Sequence, residues 1–119
     1  MPKDRAPREP LKPKVFHVLL ALSRGPQHGY GIKKSILERT GGSLDLDPGG
    51  LYRLVSRLED DGLLEESPRP AGDPSQDKRR RYYSLTPLGA EALQAEARRL
   101  AELASWPEIR DLVRKGGEA

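Results

Sequence analysis

The residues best suited to chemistry in this chain are cationic and hydrogen-bonding rather than nucleophilic. Lys78, Arg79, Arg80 and Arg81 form an unbroken basic run, and Tyr52, Arg53, Ser56 and Arg57 recur at the spacing of one outer helix face. A guanidinium can take a phosphate or a guanine edge in bidentate fashion, and a serine hydroxyl serves a base or a phosphate. Such a set can grip a polyanion, and duplex DNA fits it. The plainer alternative is a solvated loop and a solvated helix face. His28 and Tyr30 could touch a DNA backbone; they could equally build a turn, with Tyr30 plugging the core. Catalytic patterns are missing from the sequence. There is no G-x-S-x-G elbow, no phosphate-cradling glycine loop, no paired-histidine metal motif and no cysteine. No enzyme activity, cofactor or metal is expected, and His17, within an apolar stretch, reads as packed.

The bulk numbers agree with a binding protein. The chain has 119 residues, a net charge of +3, 35% hydrophobic and 33% charged residues. One domain with a thin core follows, and a partner subunit would help to bury apolar surface. The positive charge is concentrated at residues 78–81, while Glu59, Asp60 and Asp61 gather elsewhere. No apolar run reaches the roughly 18 residues of a membrane span, and the charged, Pro-rich start carries no secretory pattern. The absence of cysteine fits a reducing cytoplasm.

The elements that must position these side chains follow from periodicity. Residues 1–11, with Pro2, Pro7 and Pro10, read as a disordered arm. A first helix is predicted from Lys12 to Ser23, apolar over most of its girth and stopped by Gly25-Pro26. A second runs from Gly29 to Arg39, with Ile32 and Ile36 inward and Thr40-Gly41-Gly42 at its end. Ser43 to Leu46 alternates and is predicted as a stub of strand. The third helix begins at Pro48 and stops at Gly62, with Leu51, Leu54, Val55 and Leu58 at core spacing. Leu63–Arg69 and Arg80–Leu85 predict a hairpin around a Pro- and Gly-rich tip. Thr86-Pro87 opens a long helix whose Leu93, Ala97, Leu100 and Ala104 make a short coiled-coil-like stripe. Pro107 breaks it, and Ile109, Leu112 and Val113 mark a short amphipathic helix. Trp106, at the break, suits core packing, a dimer contact or a flat ligand pocket.

The order of helix, helix, helix, hairpin, helix is that of a winged helix-turn-helix. The expected fold class is therefore α+β, mostly helical. It has a winged-helix domain over residues 12–86, with a two-stranded wing, and C-terminal helices over residues 87–115.

Three segments, LLALSRGPQHGYGIKKSI, LDPGGLYRLVSRLEDDGLL and RRRYYSLTPLGAEAL, together resemble the PadR family of transcription regulators, small type. The likeness spans Leu11 to Leu103. It rests on His28-Gly29-Tyr30, on Leu51-Tyr52, on Gly62-Leu63, and on Tyr83 followed by Leu85-Thr86 and Gly89. It implies a homodimer binding operator DNA, often as a repressor relieved by a small molecule, with dimer contacts from the C-terminal helix. Two positions depart from the pattern. Gly50 stands where Thr or Ser is common, so an exposed backbone N–H is expected there. Gly31 replaces an acidic residue. A winged-helix module that binds protein instead of DNA remains the rival reading.

Overall fold

The computed structural model describes residues 10–73 and 79–117. Residues 1–9 of the predicted arm and Lys78 of the basic run therefore lie outside the described residues. The chain forms α1 (Pro13–Ala21), β1 (Gln27–His28), α2 (Gly29–Arg39), α3 (Pro48–Asp60), β2 (Leu64–Ser67), β3 (Tyr82–Leu85), α4 (Pro87–Ser105) and α5 (Pro107–Gly117).

Each long helix starts for a local reason. Pro sits in the first turn of α1, α3 and α4, where its missing N–H has no intrahelical partner. Side chains of His28, Asp47 and Thr86 accept the N–H of the third residue on, satisfying a donor that the helix leaves open. The end of α3 is equally specific. Gly62 N–H donates to the Glu59 carbonyl at 3.0 Å and Leu63 N–H to the Leu58 carbonyl at 2.9 Å. This Schellman turn needs a left-handed residue, and Gly62 supplies it with φ +78°.

One core joins these elements. Val18 and Leu19 of α1, with Leu22 just past its end, meet Ile32 and Ile36 of α2, and Leu51, Val55 and Leu58 of α3. Leu64, Tyr83, Ala92 and Leu93 close it from the sheet and α4. Fully burying a Leu or Ile side chain stabilises by about 1.5–3 kcal/mol, and Leu19, Ile32 and Leu64 are among the most completely buried side chains of the core.

The sheet departs from expectation. It has three antiparallel strands in the order β1-β3-β2, with Gln27 opposite Tyr83 and Leu64 opposite Leu85. The two-stranded wing is thus extended by a two-residue strand ahead of α2. Such a strand has no sequence period of its own and exists because β3 offers it an edge. The predicted stub at Ser43–Leu46 is not a strand. Its alternation is real, since Leu44 and Leu46 turn inward, but they anchor a loop to the core with no strand beside them. The first helix is shorter than predicted, ending at Ala21.

The joint between wing and α4 explains two of the sequence motifs at once. Thr86 Oγ1 donates to the Gly62 carbonyl at 2.5 Å and accepts from Gly89 N–H at 3.0 Å. Thr86 N–H donates to the Leu63 carbonyl at 3.2 Å. A Cβ added to Gly89 would overlap that same Leu63 carbonyl oxygen. Gly62-Leu63 and Thr86 with Gly89 are therefore two sides of one contact. Farther along α4, the carboxylate of Glu96 is buried and takes both Nε and Nη2 of Arg99, at 2.8 and 2.7 Å. The Arg99 hydrogen bonds hold this carboxyl below its ordinary range, and the Leu11 N–H adds to them. Leu11, at the end of the predicted arm, is thus docked on the core.

Candidate nucleic-acid interface

Three elements bring part of the sequence-predicted set to one side. β1 ends at His28, which caps α2; α3 runs beneath; and Arg79, Arg80 and Arg81 lead into β3, which pairs with β1. His28, Tyr30, Tyr52 and the three arginines consequently surround a single cleft. Arg81 Nη1 lies 3.4 Å from Tyr52 Oη, a weak bridge from wing to α3. Tyr30 and Tyr52 are 64% and 56% exposed, so Tyr30 does not plug the core. Its ring stacks on the His28 imidazole, with 6.2 Å between centroids and 9° between planes.

His28 is set by competing demands. Its Nδ1 accepts the Gly31 N–H at 3.0 Å, and its Nε2 lies 3.1 Å from Arg80 Nη1. A neutral imidazole has one donor and one acceptor nitrogen, and a guanidinium only donates. With Nδ1 accepting the helix cap, the proton is assigned to Nε2, and two donors then face each other. An anionic oxygen placed between them would satisfy both. Burial and the Arg80 charge hold the imidazole below its ordinary range, so the neutral ring is favoured. A network continues behind it. The Tyr82 ring meets His28 edge-on at 5.3 Å, Tyr82 Oη donates to Asp73, and Arg69 pairs with Asp73 at 3.5 Å.

The outer face of α3 divides into two flanks. Tyr52 turns toward the wing; Arg53 and Arg57, four residues apart, form the next stripe around. Arg57 lines a second groove with Lys12, Lys14 and Asp61, against the start of α1 and away from the wing. Sequence spacing alone groups Arg57 and the wing run as one basic set. The structure instead sets Arg57 in this second groove, which shares no lining residue with the cleft at the wing. Lys12 and Lys14 thereby join the basic surface unforeseen, as does Lys33, which lies at the cleft and bonds Asp45 at 2.7 Å.

Gly50 also differs from expectation. Its N–H is not left exposed for an anion, because Asp47 accepts it at 2.9 Å. That bond, with help from Arg53, holds the Asp47 carboxyl below its ordinary range. The signal was present as an Asp directly before the helix-opening proline.

The predicted dimer stripe is split. Leu93 is spent inside its own protomer, 8% exposed, while Ala97, Leu100 and Ala104 face outward. Trp106 stands half-exposed at the α4–α5 break, apart from the cavities around α3. No residue of α5 is buried, and its Leu112 and Val113 are 66% and 72% exposed. No helix among the described residues is long and apolar enough to cross a membrane.

Comparison with known proteins accords with this arrangement. Residues 18–95 match the Transcriptional regulator PadR-like family. The chain belongs to that family. A transcriptional regulator from Mycobacterium tuberculosis is 36% identical over 89 residues, covering 75% of this chain and 77% of that protein. An uncharacterized 37.1 kDa protein from a Streptomyces fradiae transposon is 41% identical over 86 residues, covering 72% of this chain. This chain spans only 22% of that protein's length. Among solved structures, Bacillus subtilis PadR in complex with operator DNA superposes with a TM-score of 0.59 at 21% identity. That match covers 73% of this chain and 46% of the Bacillus protein, and it shows a shared fold. A family of transcription regulators, rather than of enzymes, is where the chain falls.

Proposed function

We propose that this PadR-like regulator is a sequence-specific DNA-binding repressor that acts as a homodimer. In this reading α3 enters the major groove, where Tyr52, Arg53, Ser56 and Arg57 meet bases and phosphates. Arg79, Arg80 and Arg81 grip flanking phosphates from the wing. The His28 Nε2–H and Arg80 close on one further phosphate oxygen. The observation that carries the reading is the gathering of His28, Tyr52 and the wing arginines around one solvent-facing surface. The exposed apolar residues of α5, with Leu100 and Trp106, supply a face for a second protomer. Two reading helices related by a two-fold axis would address half-sites about 34–36 Å apart, or a multiple of that.

The test is a salt titration of duplex binding. Random duplex should bind at low salt and release at moderate salt. Replacing Arg79 and Arg81 by Gln should lower affinity for all sequences and reduce the slope of log K against log salt by about 2. An unchanged slope takes the wing out of the interface. A protein indifferent to duplex at low salt would instead favour the protein-interaction module. Footprinting on the DNA upstream of the chain's own gene identifies the operator.

A further inference from the structure

The groove at the start of α1 holds cations that the cleft at the wing does not include. Lys12, Lys14 and Arg57 line it, and Asp61 is the one acidic residue among its described lining. All three cations are exposed, and none makes a hydrogen bond or ion pair with another described residue. Arg53 belongs with them, because Arg53 and Lys14 both lie close enough to the Asp47 carboxylate to favour its charged form. Tyr52, which turns toward the wing, and Arg57 are separated by about 140° around the helix axis. We propose that Lys12, Lys14 and Arg57 grip the phosphate strand of duplex DNA that passes α3 on the side away from the wing. This grip rests on the DNA-binding reading above and brings α1, which that reading leaves out, to the nucleic acid.

Dimensions call for a contact of this kind. A helix with its side chains is about 10–12 Å across, and the major groove of duplex DNA is about 12 Å wide. A helix seated there brings both of its flanks near a phosphate strand. Tyr52 and the wing arginines serve one flank. On the other, the structure offers Arg57 and the two lysines. Charge selects the same partner. Lys12, Lys14, Arg53 and Arg57 outnumber the carboxylates beside them, Asp47 and Asp61, and Asp47 is already engaged by the Gly50 N–H at 2.9 Å. Asp60 and Asp61 close the far end of α3, so the positive surplus lies toward Lys14 and Arg53, at the end by which α3 would enter the groove. The floor is apolar, made of Val15, Leu44, Leu54 and Leu58. Lysine stems can lie on such a floor while their ammonium groups stay in water. The backbone that carries the lysines is held on both sides. Phe16 N–H donates to the Lys12 carbonyl at 2.9 Å, and Pro13 fixes the first turn of α1. Leu11 packs on the core, with its N–H at the buried Glu96 carboxylate. The two ammonium groups are thus presented from a fixed base, which lowers the ordering cost of a phosphate contact.

Fluorescence anisotropy of a labelled random duplex, titrated with the full chain over a range of salt, tests the grip. Lys12→Gln together with Lys14→Gln should weaken duplex binding and reduce the slope of log K against log salt by about 2. Arg57→Gln should reduce it by about 1. Lys12→Arg together with Lys14→Arg keeps the charge and should keep the wild-type slope. Arg98→Gln together with Arg110→Gln removes as much charge from exposed sites on α4 and α5 and should leave the slope unchanged. Combined with Arg79→Gln and Arg81→Gln, the lysine pair should bring the total reduction to about 4, since the two flanks meet separate phosphates. All these side chains are exposed, so the fold is expected to survive each change. A wild-type slope in the Lys12→Gln, Lys14→Gln variant overturns the grip, and so does a loss no larger than that from Arg98 and Arg110. In either case duplex binding that still responds to Arg79 and Arg81 leaves the DNA reading standing. A wild-type chain that ignores duplex at low salt overturns that reading itself.

Discussion

At the scale of single residues, His28 concentrates several functions in one ring. It caps α2, faces Arg80 and stacks on Tyr30. The cap and the proposed phosphate role can be separated. Asn is a strong N-cap, so His28→Asn should retain thermal stability, whereas His28→Ala should lose about 1 kcal/mol with the cap. Both should weaken duplex binding, because neither offers the Nε2–H. Equal duplex affinity in wild type and His28→Asn would leave the ring with a structural role alone. The same residue sets a pH dependence. Its pKa is lowered from 6.5 in the folded chain, by burial first and then by Arg80. The unfolded chain therefore binds the proton at higher pH than the folded one. The stabilisation from a neutral His28 is complete above pH 6.5 and is lost as pH falls through the window below that value. Thermal unfolding across this window should show the decline in wild type and a flatter profile in His28→Asn. None of this is visible in the tripeptide His28-Gly29-Tyr30 as a string. The ring's duties depend on Arg80, 52 positions away.

At the scale of elements, what repeats is what could be read. Leu51, Val55 and Leu58 lie at core spacing between Pro48 and Gly62, and α3 occupies that span. α2 runs from Gly29 to Arg39 as its pattern predicts. The break at Trp106 follows from Pro107. β1 escaped because two residues carry no period, and its partner β3 lies more than fifty residues on. The flank occupied by Arg57 escaped for a related reason. Periodicity gives an angle around the helix axis but not which neighbour stands at that angle. Leu93 shows the same limit, since its stripe was legible and its burial against its own core was not. The joint of Thr86 and Gly89 with Gly62 and Leu63 is the element-scale feature most open to test. Gly89→Ala forces a methyl group into the Leu63 carbonyl, with backbone on both sides and no flexible side chain to yield. A loss of about 1–3 kcal/mol is expected, read as a lowered denaturation midpoint. An unaltered midpoint would mean that α4 sits farther from the wing than described.

At the scale of the whole molecule, the surface proposed to read DNA and the surface proposed for assembly are distinct. His28, Tyr52 and the wing arginines surround one cleft, while Leu100, Trp106, Ile109, Leu112 and Val113 are exposed on α4, α5 and the break between them. α5 contributes nothing to the protomer core, so its Leu112 and Val113 are available for a mate. Val113→Asp should therefore shift the protein toward monomer in sedimentation analysis while the melting of a single protomer is little changed. Operator binding by the monomer should fall more than random-duplex binding, because only a two-headed protein gains from two half-sites. A dimer that survives this substitution would have its contact elsewhere.

The short splice at Thr86 has a mechanical corollary for the proposed dimer. It clamps the first turn of α4 to the base of the wing and to the last turn of α3, leaving no slack between handle and reading head. In that dimer, two such heads joined through their handles would behave like the jaws of a caliper. Their separation is set by helix length and phase rather than by linker flexibility. One residue inserted into the middle of α4 would turn everything beyond it by about 100° and advance it by about 1.5 Å. The jaws would then no longer close on the same side of a duplex, although each head kept every contact of its own.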